Sequence, residues 1–308
     1  WKLPVNGVGP RLQVTKDAET LRLTGLASPD GKWIAYAERD QELWVHEIAT
    51  GQSRKVASSP AVDFDFPDLA WSPDSKWLAY VVSATRGSIT RIHLYSLADD
   101  RSTAATSERA GSSSPAWSPD GKWLYFISER NLESTVFSPW GNRQPEPHFD
   151  KVDRVYQLAL TAQRRSPFDP SDELNPPETD KVADKSTKPD PKKEETKPDG
   201  ATDAQAVAST PDTPVKSDPK PDAAKDTKPA VVVTVDFTGI ESRQWEVPVP
   251  PGNLSRLKVT EKFLFFTDRA GSKTRLVGVE IKNKDVEAST IMDEIRSYQL
   301  SHDRKKLA

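Results

Sequence analysis

Ser28-Pro29-Asp30-Gly31-Lys32-Trp33-Ile34-Ala35-Tyr36 returns as Ser72-Pro73-Asp74-Ser75-Lys76-Trp77-Leu78-Ala79-Tyr80 and again as Ser118-Pro119-Asp120-Gly121-Lys122-Trp123-Leu124-Tyr125-Phe126. Proline sets φ for the second position of a tight turn, and Asp-Gly suits the positions after it. The aromatic and β-branched run that follows reads as a strand. Short apolar stretches precede each turn, as in Leu69-Ala70-Trp71 and Pro115-Ala116-Trp117. Further strands follow at Leu43 to Ile48 and Ile92 to Leu97, where apolar residues recur mostly at every second position, the pattern of a half-buried strand. The first copies start 44 and then 46 residues apart, and weaker echoes lie at Val259 to Phe266 and Ser301 to Ala308. A period near 40–45 residues is that of a four-stranded propeller blade. Helical periodicity is missing, so the expected fold is all-β, a β-propeller of four-stranded blades. Propellers close with about 4–8 blades. Five hairpin starts, at residues 28, 72, 118, about 259 and 302, are therefore expected to be part of a ring that continues beyond both ends of this chain.

Trp33, Trp77 and Trp123 share one repeat position, and Trp71 and Trp117 share another. Large aromatics at fixed repeat positions are expected where adjacent blades pack, because they bury the most area there.

The third repeat is interrupted. Its later strands are expected at Val152 to Leu160 and Val231 to Phe237. Between them, residues 170–230 hold 11 Pro, 10 Lys and 14 Asp or Glu and no aromatic residue. So little apolar surface cannot offset the entropy of ordering, and the stretch is expected to be a disordered surface insertion. The expected organisation is propeller over 1–169, insertion over 170–230, and propeller again over 231–308.

Composition removes several functions. The net charge of −3 over 308 residues gives no clustered basic surface for a nucleic-acid backbone. Cysteine is absent, and with it go disulfide frameworks, thiolate nucleophiles and cysteine-ligated zinc. No run of 18 apolar residues is present, so no membrane-spanning helix is expected. The chain shows no Gly-x-Ser-x-Gly elbow, His-Glu-x-x-His pair, phosphate-binding Gly-Lys-Ser/Thr loop or Asp-rich calcium loop. The four histidines, His46, His93, His148 and His302, have no partner motif. His46 and His93 fall at similar places in third strands, which points to a structural role. Asp30, Asp74, Asp120 and Asp303 are read as turn-capping groups. Arg164-Arg165 and Lys305-Lys306 are read as solvated basic pairs, with a peptide carboxylate as the alternative ligand of Arg164 or Arg165. No catalytic, cofactor-binding or metal-ligating residue is assigned, and no cofactor is expected.

The Ser-Pro-Asp-Gly-Lys-Trp repeat resembles that of TolB, tricorn and prolyl oligopeptidase propellers. Three further stretches resemble tricorn-like peptidases more specifically, and the second of their two propellers in particular. These are Ser138-Pro139-Trp140-Gly141-Asn142-Arg143-Gln144-Pro145-Glu146-Pro147-His148-Phe149-Asp150, then Val235-Asp236-Phe237-Thr238-Gly239-Ile240-Glu241-Ser242-Arg243, then Val247-Pro248-Val249-Pro250-Pro251-Gly252-Asn253. The resemblance implies a non-catalytic segment of a serine peptidase that degrades oligopeptides. Its propeller would guide or filter peptides toward Ser and His residues in later domains that flank a PDZ-like domain. It also implies a homo-oligomer, in the cytoplasm or alternatively the periplasm. A TolB-like protein-binding module and the propeller of a prolyl oligopeptidase relative are the alternatives.

Overall fold

The structure, a computed structural model, describes residues 3–4, 6–15, 20–60, 66–83, 89–134, 149–175 and 230–308. The chain divides into two compact units, one of Trp1–Pro170 with Ala230–Ala308 and one of Ser171–Pro229. Of the second unit, residues 171–175 are described, and there Asp172 and Asn175 close a tight turn on each other. The expected disordered insertion otherwise lies outside the described residues.

The first unit holds four antiparallel four-stranded sheets, each in sequence order. Blade 1 is β1 (Arg22–Ala27), β2 (Trp33–Glu38), β3 (Glu42–Glu47) and β4 (Ser53–Ser58). Blade 2 is β5 (Leu69–Trp71), β6 (Trp77–Ser83), β7 (Thr90–Ser96) and β8 (Arg101–Ala104). Blade 3 is β9 (Ser112–Trp117), β10 (Trp123–Glu129), β11 (Asp153–Ala159) and β12 (Gln244–Glu246). Blade 4 is β13 (Leu254–Val259), β14 (Phe263–Ala270), β15 (Lys273–Glu280) and β16 (Ala288–Met292). A further hairpin turn follows, bridged from Leu300 to Leu307.

The recurring turn has one chemistry. Ser28 Oγ donates to Asp30 Oδ1 at 2.6 Å and accepts Trp33 N–H at 3.0 Å, while Asp30 Oδ1 accepts Lys32 N–H at 3.1 Å. The same three bonds recur from Ser72, Ser118 and Ser301. At Asp303 the Ser301 hydroxyl and then Lys305 N–H hold the carboxyl below its ordinary range. At Asp120 burial works in the opposite sense, but the Ser118 hydroxyl and Lys122 N–H outweigh it and the net shift is again downward. Each of the four aspartates thus caps its own turn through Oδ1.

The fourth residue of each turn has positive φ: Gly31 68°, Ser75 60°, Gly121 68° and Arg304 55°. This conformation costs an L-residue about 1–2 kcal/mol. A Cβ on Gly31 would meet nothing within 4 Å, whereas one on Gly121 would lie 2.7 Å from Val233 Cγ2 and 3.1 Å from Val231 Cγ1. Gly31→Ala is therefore expected to cost about 1 kcal/mol. Gly121→Ala adds an overpacking cost of about 1–3 kcal/mol. Urea unfolding of the two variants checks the difference.

The core lies between blades. One apolar cluster joins blades 1 and 2, a second joins blades 2 and 3, and a third joins blades 3 and 4. The repeat tryptophans sit in them. Trp71, Trp117 and Trp123 are buried, and Trp33 and Trp77 are half-buried. Trp71 Nε1 donates to Leu26 O at 3.0 Å, and Trp117 Nε1 donates to Ala70 O at 2.9 Å. Each indole thus ties the first strand of its blade to the first strand of the blade before.

Two sequence expectations need correction. Val231 to Phe237 is extended but joins no sheet. Val233 N–H is taken by Asp74 Oδ2 at 2.9 Å and Asp236 N–H by Leu160 O at 2.8 Å, and Val233 is buried in the blade 2–3 core. With its donors spent on turn and loop acceptors, this run wedges between blades, and β12 is the fourth strand of blade 3. The histidines also differ in place. His46 lies opposite Ile34, the position that Tyr95 occupies opposite Leu78, whereas His93 lies opposite Tyr80. The residue equivalent to His93 in blade 1 is Trp44, opposite Tyr36.

Candidate functional site

First strands pair on one side only, so each has a free inner edge, and β9 lies between β5 and β13. In a propeller such edges border the central passage. Free edges leave backbone donors to satisfy. Here one repeat position, three residues before Trp71, Trp117 and Val259, links the blades. Asp68 Oδ2 accepts Ser114 N–H at 2.7 Å, and Ser114 Oγ accepts Arg256 N–H at 3.1 Å. Ser114 and Arg256 are bulge residues with φ of 51° and 57°, where the register of their strands shifts. A side chain in one blade thus satisfies the bulged N–H of the next.

Charge gathers along this edge. Lys258 is exposed, yet desolvation holds its pKa below the usual lysine range, against the pull of the Asp68 carboxylate and with help from Arg304. The equivalent positions in the other blades are Leu26, Ala70 and Ala116, which pack into inter-blade cores. Arg304 Nη1 donates to Trp117 O at 3.0 Å and to Val259 O at 3.4 Å. Burial lowers its pKa.

A second charged group lies where blades 3 and 4 meet. Burial raises the Asp153 carboxyl to about 6, Leu254 N–H on its Oδ2 at 2.9 Å opposes that, and the carboxylates of Glu129 and Asp268 add to it. Asp268 is itself paired with Arg275 at 2.7 Å. Among the described residues no group of His, Cys, Asp and Glu is arranged to hold a metal ion.

The residues singled out in the sequence are spread across the propeller. His46 Nδ1 lies 3.0 Å from Ser53 Oγ, which also accepts from Tyr36 Oη at 3.3 Å. His46 is 1% exposed, so this Ser–His contact is closed to a substrate. The His93 ring stacks on Tyr80 with centroids 5.4 Å apart. His302 Nε2 lies 3.3 Å from Pro29 O, and His148 is outside the described residues. Arg164 bonds Thr161 at 2.7 Å, Arg165 bonds Pro170 O, and Lys305 and Lys306 are exposed.

Of the first family-like phrase only Phe149 and Asp150 are among the described residues, and Asp150 meets the phrase that ends at Asn253. Asn253 Nδ2 donates to Asp150 Oδ1 at 2.9 Å, and Gly252 and Asp153 exchange backbone bonds beside them. The remaining phrase is a closed loop, in which Arg243 Nη1 pairs with Asp236 Oδ2 at 3.1 Å and Ile240 is buried. Asp150 with Asn253, and Asp236 with Arg243, brace chain that leads into β11 and β12. The inter-blade ring of Asp68, Ser114 and Arg256 was missed in the sequence. Its signal is the fixed offset of three residues before the last residue of the first strand (Trp71, Trp117, Val259), and the residue types at that offset do not repeat.

The described residues contain no helix long and apolar enough to cross a membrane. A family model for the tricorn protease second β-propeller domain matches residues 4–308. The chain is 30% identical over 181 residues to a tricorn protease homolog of Streptomyces coelicolor, covering 57% of this chain and 16% of that protein. It is 32% identical over 147 residues to a putative tricorn-like protease C-terminal subunit of Sulfurisphaera tokodaii, covering 47% of this chain and 16% of that protein. The chain thus spans under a fifth of the length of these relatives. The crystal structure of tricorn protease superposes with a TM-score of 0.64 at 17% identity, covering 93% of this chain and 24% of that one, which supports the fold. This chain belongs to the family of the tricorn protease second β-propeller domain.

Proposed function

We propose that this propeller is a non-catalytic part of a tricorn-like serine peptidase that degrades oligopeptides, and that its passage guides or filters the peptides. The observation that carries this reading is the charged inner edge. Asp68, just before β5, and Lys258, on β13, put opposite charges along this edge, and Lys258 replaces the apolar residues that other blades place at its position. Such groups offer an extended chain weak, replaceable contacts rather than one tight site. The peptidase residues belong to other domains of the same protein, which assembles as a homo-oligomer. The cytoplasm is the proposed compartment.

The test has two arms. A pure preparation of these 308 residues is expected to hydrolyse no peptide, and robust hydrolysis would refute the non-catalytic reading. In the full-length protein, Lys258→Glu is expected to change kcat/KM for oligopeptides by about fivefold, an effect of about 1 kcal/mol from one reversed charge. A single-residue chromogenic substrate should respond less. Equal effects on both substrates, or none, would remove the guiding role.

A further inference from the structure

The repeats supply an internal comparison at the outer part of each blade. Residues opposite one another across a sheet share a face, and the register places Arg54, Thr103 and Trp245 at one repeat position, opposite Val45, Leu94 and Gln157. In blade 1 the Arg54 guanidinium lies 5.0 Å from the centre of the Trp33 ring, reaches Leu97 O at 3.2 Å and faces the Asp100 carboxylate at 3.8 Å. In blade 3 Trp245 packs edge-on against Trp123 with centroids 5.9 Å apart. Both cover the repeat tryptophan with a flat group. Blade 2 has Thr103 there, too small to do so.

What stands over Trp77 instead is an open groove of about 430 Å³ lined by Trp77, Ser96, Asp99, Arg101, Thr103 and Phe237. Phe237, from the run that wedges between blades 2 and 3, forms its far wall. The Trp77 and Phe237 rings pack with centroids 6.0 Å apart and inclined at 54°, so Phe237 covers part of the Trp77 ring and the groove lies beside this pair. Asp99 spends Oδ2 on the Ser96 hydroxyl at 2.7 Å. Among the described residues its other oxygen and the Arg101 guanidinium have no hydrogen bond or ion pair. The groove thus offers an aromatic face, an unpaired carboxylate oxygen and a donor for peptide carbonyls. These are the requirements of a guanidinium held by stacking and charge together.

We propose that this groove binds the arginine side chain of an extended peptide, its guanidinium laid over Trp77 as that of Arg54 is laid over Trp33. Asp99 pairs with the guanidinium at the rim, and Arg101 donates to the peptide's main-chain carbonyls. The site is separate from the passage and independent of the peptidase reading.

The test is calorimetric titration of the full-length protein with acetyl-arginine N-methylamide, which has no peptide bond between residues to cleave. Saturable binding is expected, with the uncharged citrulline analogue about tenfold weaker, the equivalent of 1.4 kcal/mol. Thr103→Arg should abolish binding by filling the groove from within and should raise the unfolding midpoint, as the blade 1 arrangement would then be reproduced. Asp99→Asn, at an exposed turn position, keeps an acceptor for Ser96 and should weaken binding about tenfold. Undiminished binding by both variants, equal affinity for the citrulline analogue, or no binding of the arginine compound would overturn the assignment.

Discussion

Trp117→Ala is expected to destabilise the propeller by about 3–5 kcal/mol, the range for truncating a fully buried large aromatic. Trp117 is 2% exposed and sits in the apolar cluster that joins blades 2 and 3. The substitution would empty that seam and strand the Ala70 carbonyl, which now accepts from Nε1 at 2.9 Å. Trp117→Phe separates the two contributions. It keeps most of the ring and loses the donor, so it should cost about 1–2 kcal/mol from the hydrogen bond and a small residual void. The seam is the apolar contact between blades 2 and 3, so the loss should appear as a lower unfolding midpoint in urea, read by circular dichroism. A Trp117→Ala variant as stable as Trp117→Phe would show that the seam is held elsewhere.

The second large effect depends on pH, and two half-buried groups give it opposite signs. His93 has its pKa lowered to about 4, first by burial and then by the Arg91 charge, with Glu108 and Glu241 paired to that arginine. In the unfolded chain it titrates near 6.5. Above pH 6.5 the ring is neutral in both states. As pH falls from 6.5 to 4 the unfolded chain gains a proton that the fold excludes, so stability is lost, and below 4 the difference is constant. A shift of this size corresponds to about 3 kcal/mol, or about 2 for a ring that keeps some contact with water. Asp153 runs the other way. With its carboxyl raised to about 6, the folded state keeps a proton that the unfolded chain has released above pH 4, so stability falls as pH rises from 4 to 6.

Between pH 4 and 6 the two slopes largely cancel, and the wild-type chain should show a shallow profile. Substitution exposes each slope in turn. His93→Tyr imports the residue that blade 3 places at this position, where Tyr156 stacks on Phe126 with centroids 5.7 Å apart. It should leave a protein that loses stability from pH 4 to 6. Asp153→Asn should leave one that loses stability from pH 6.5 down to 4, at up to about 1.4 kcal/mol per pH unit. Urea titrations at half-unit intervals of pH measure both. Parallel profiles for the two variants would contradict the assignment of the slopes.

How much of this was legible beforehand depends on whether the relevant bonds are local. The Ser28 and Asp30 side-chain bonds that shape the turn fall within six residues, so its four copies could be read from the chain alone. Val231 to Phe237 reads as a strand by residue type, yet its N–H groups go to Asp74 and Leu160, acceptors remote in sequence. The similar setting expected for His46 and His93 failed for a related reason. A two-residue difference in register keeps a side chain on the same face but changes its partner, and register is not written in residue type. The passage residues Asp68, Ser114 and Arg256 share a place without sharing chemistry, so no motif marks them.

The amino-acid sequence by itself determined the all-β repeat, the position of each tight turn, the tryptophans at the seams and the resemblance to tricorn-like propellers, because each is encoded in contiguous residues at a fixed period. The tertiary structure alone decided which blades exchange hydrogen bonds, which carboxyls are pushed up or down, and that Trp77 borders a groove where Trp33 and Trp123 meet Arg54 and Trp245. Those properties arise from groups brought together across blades, where burial and cross-strand register set the energies.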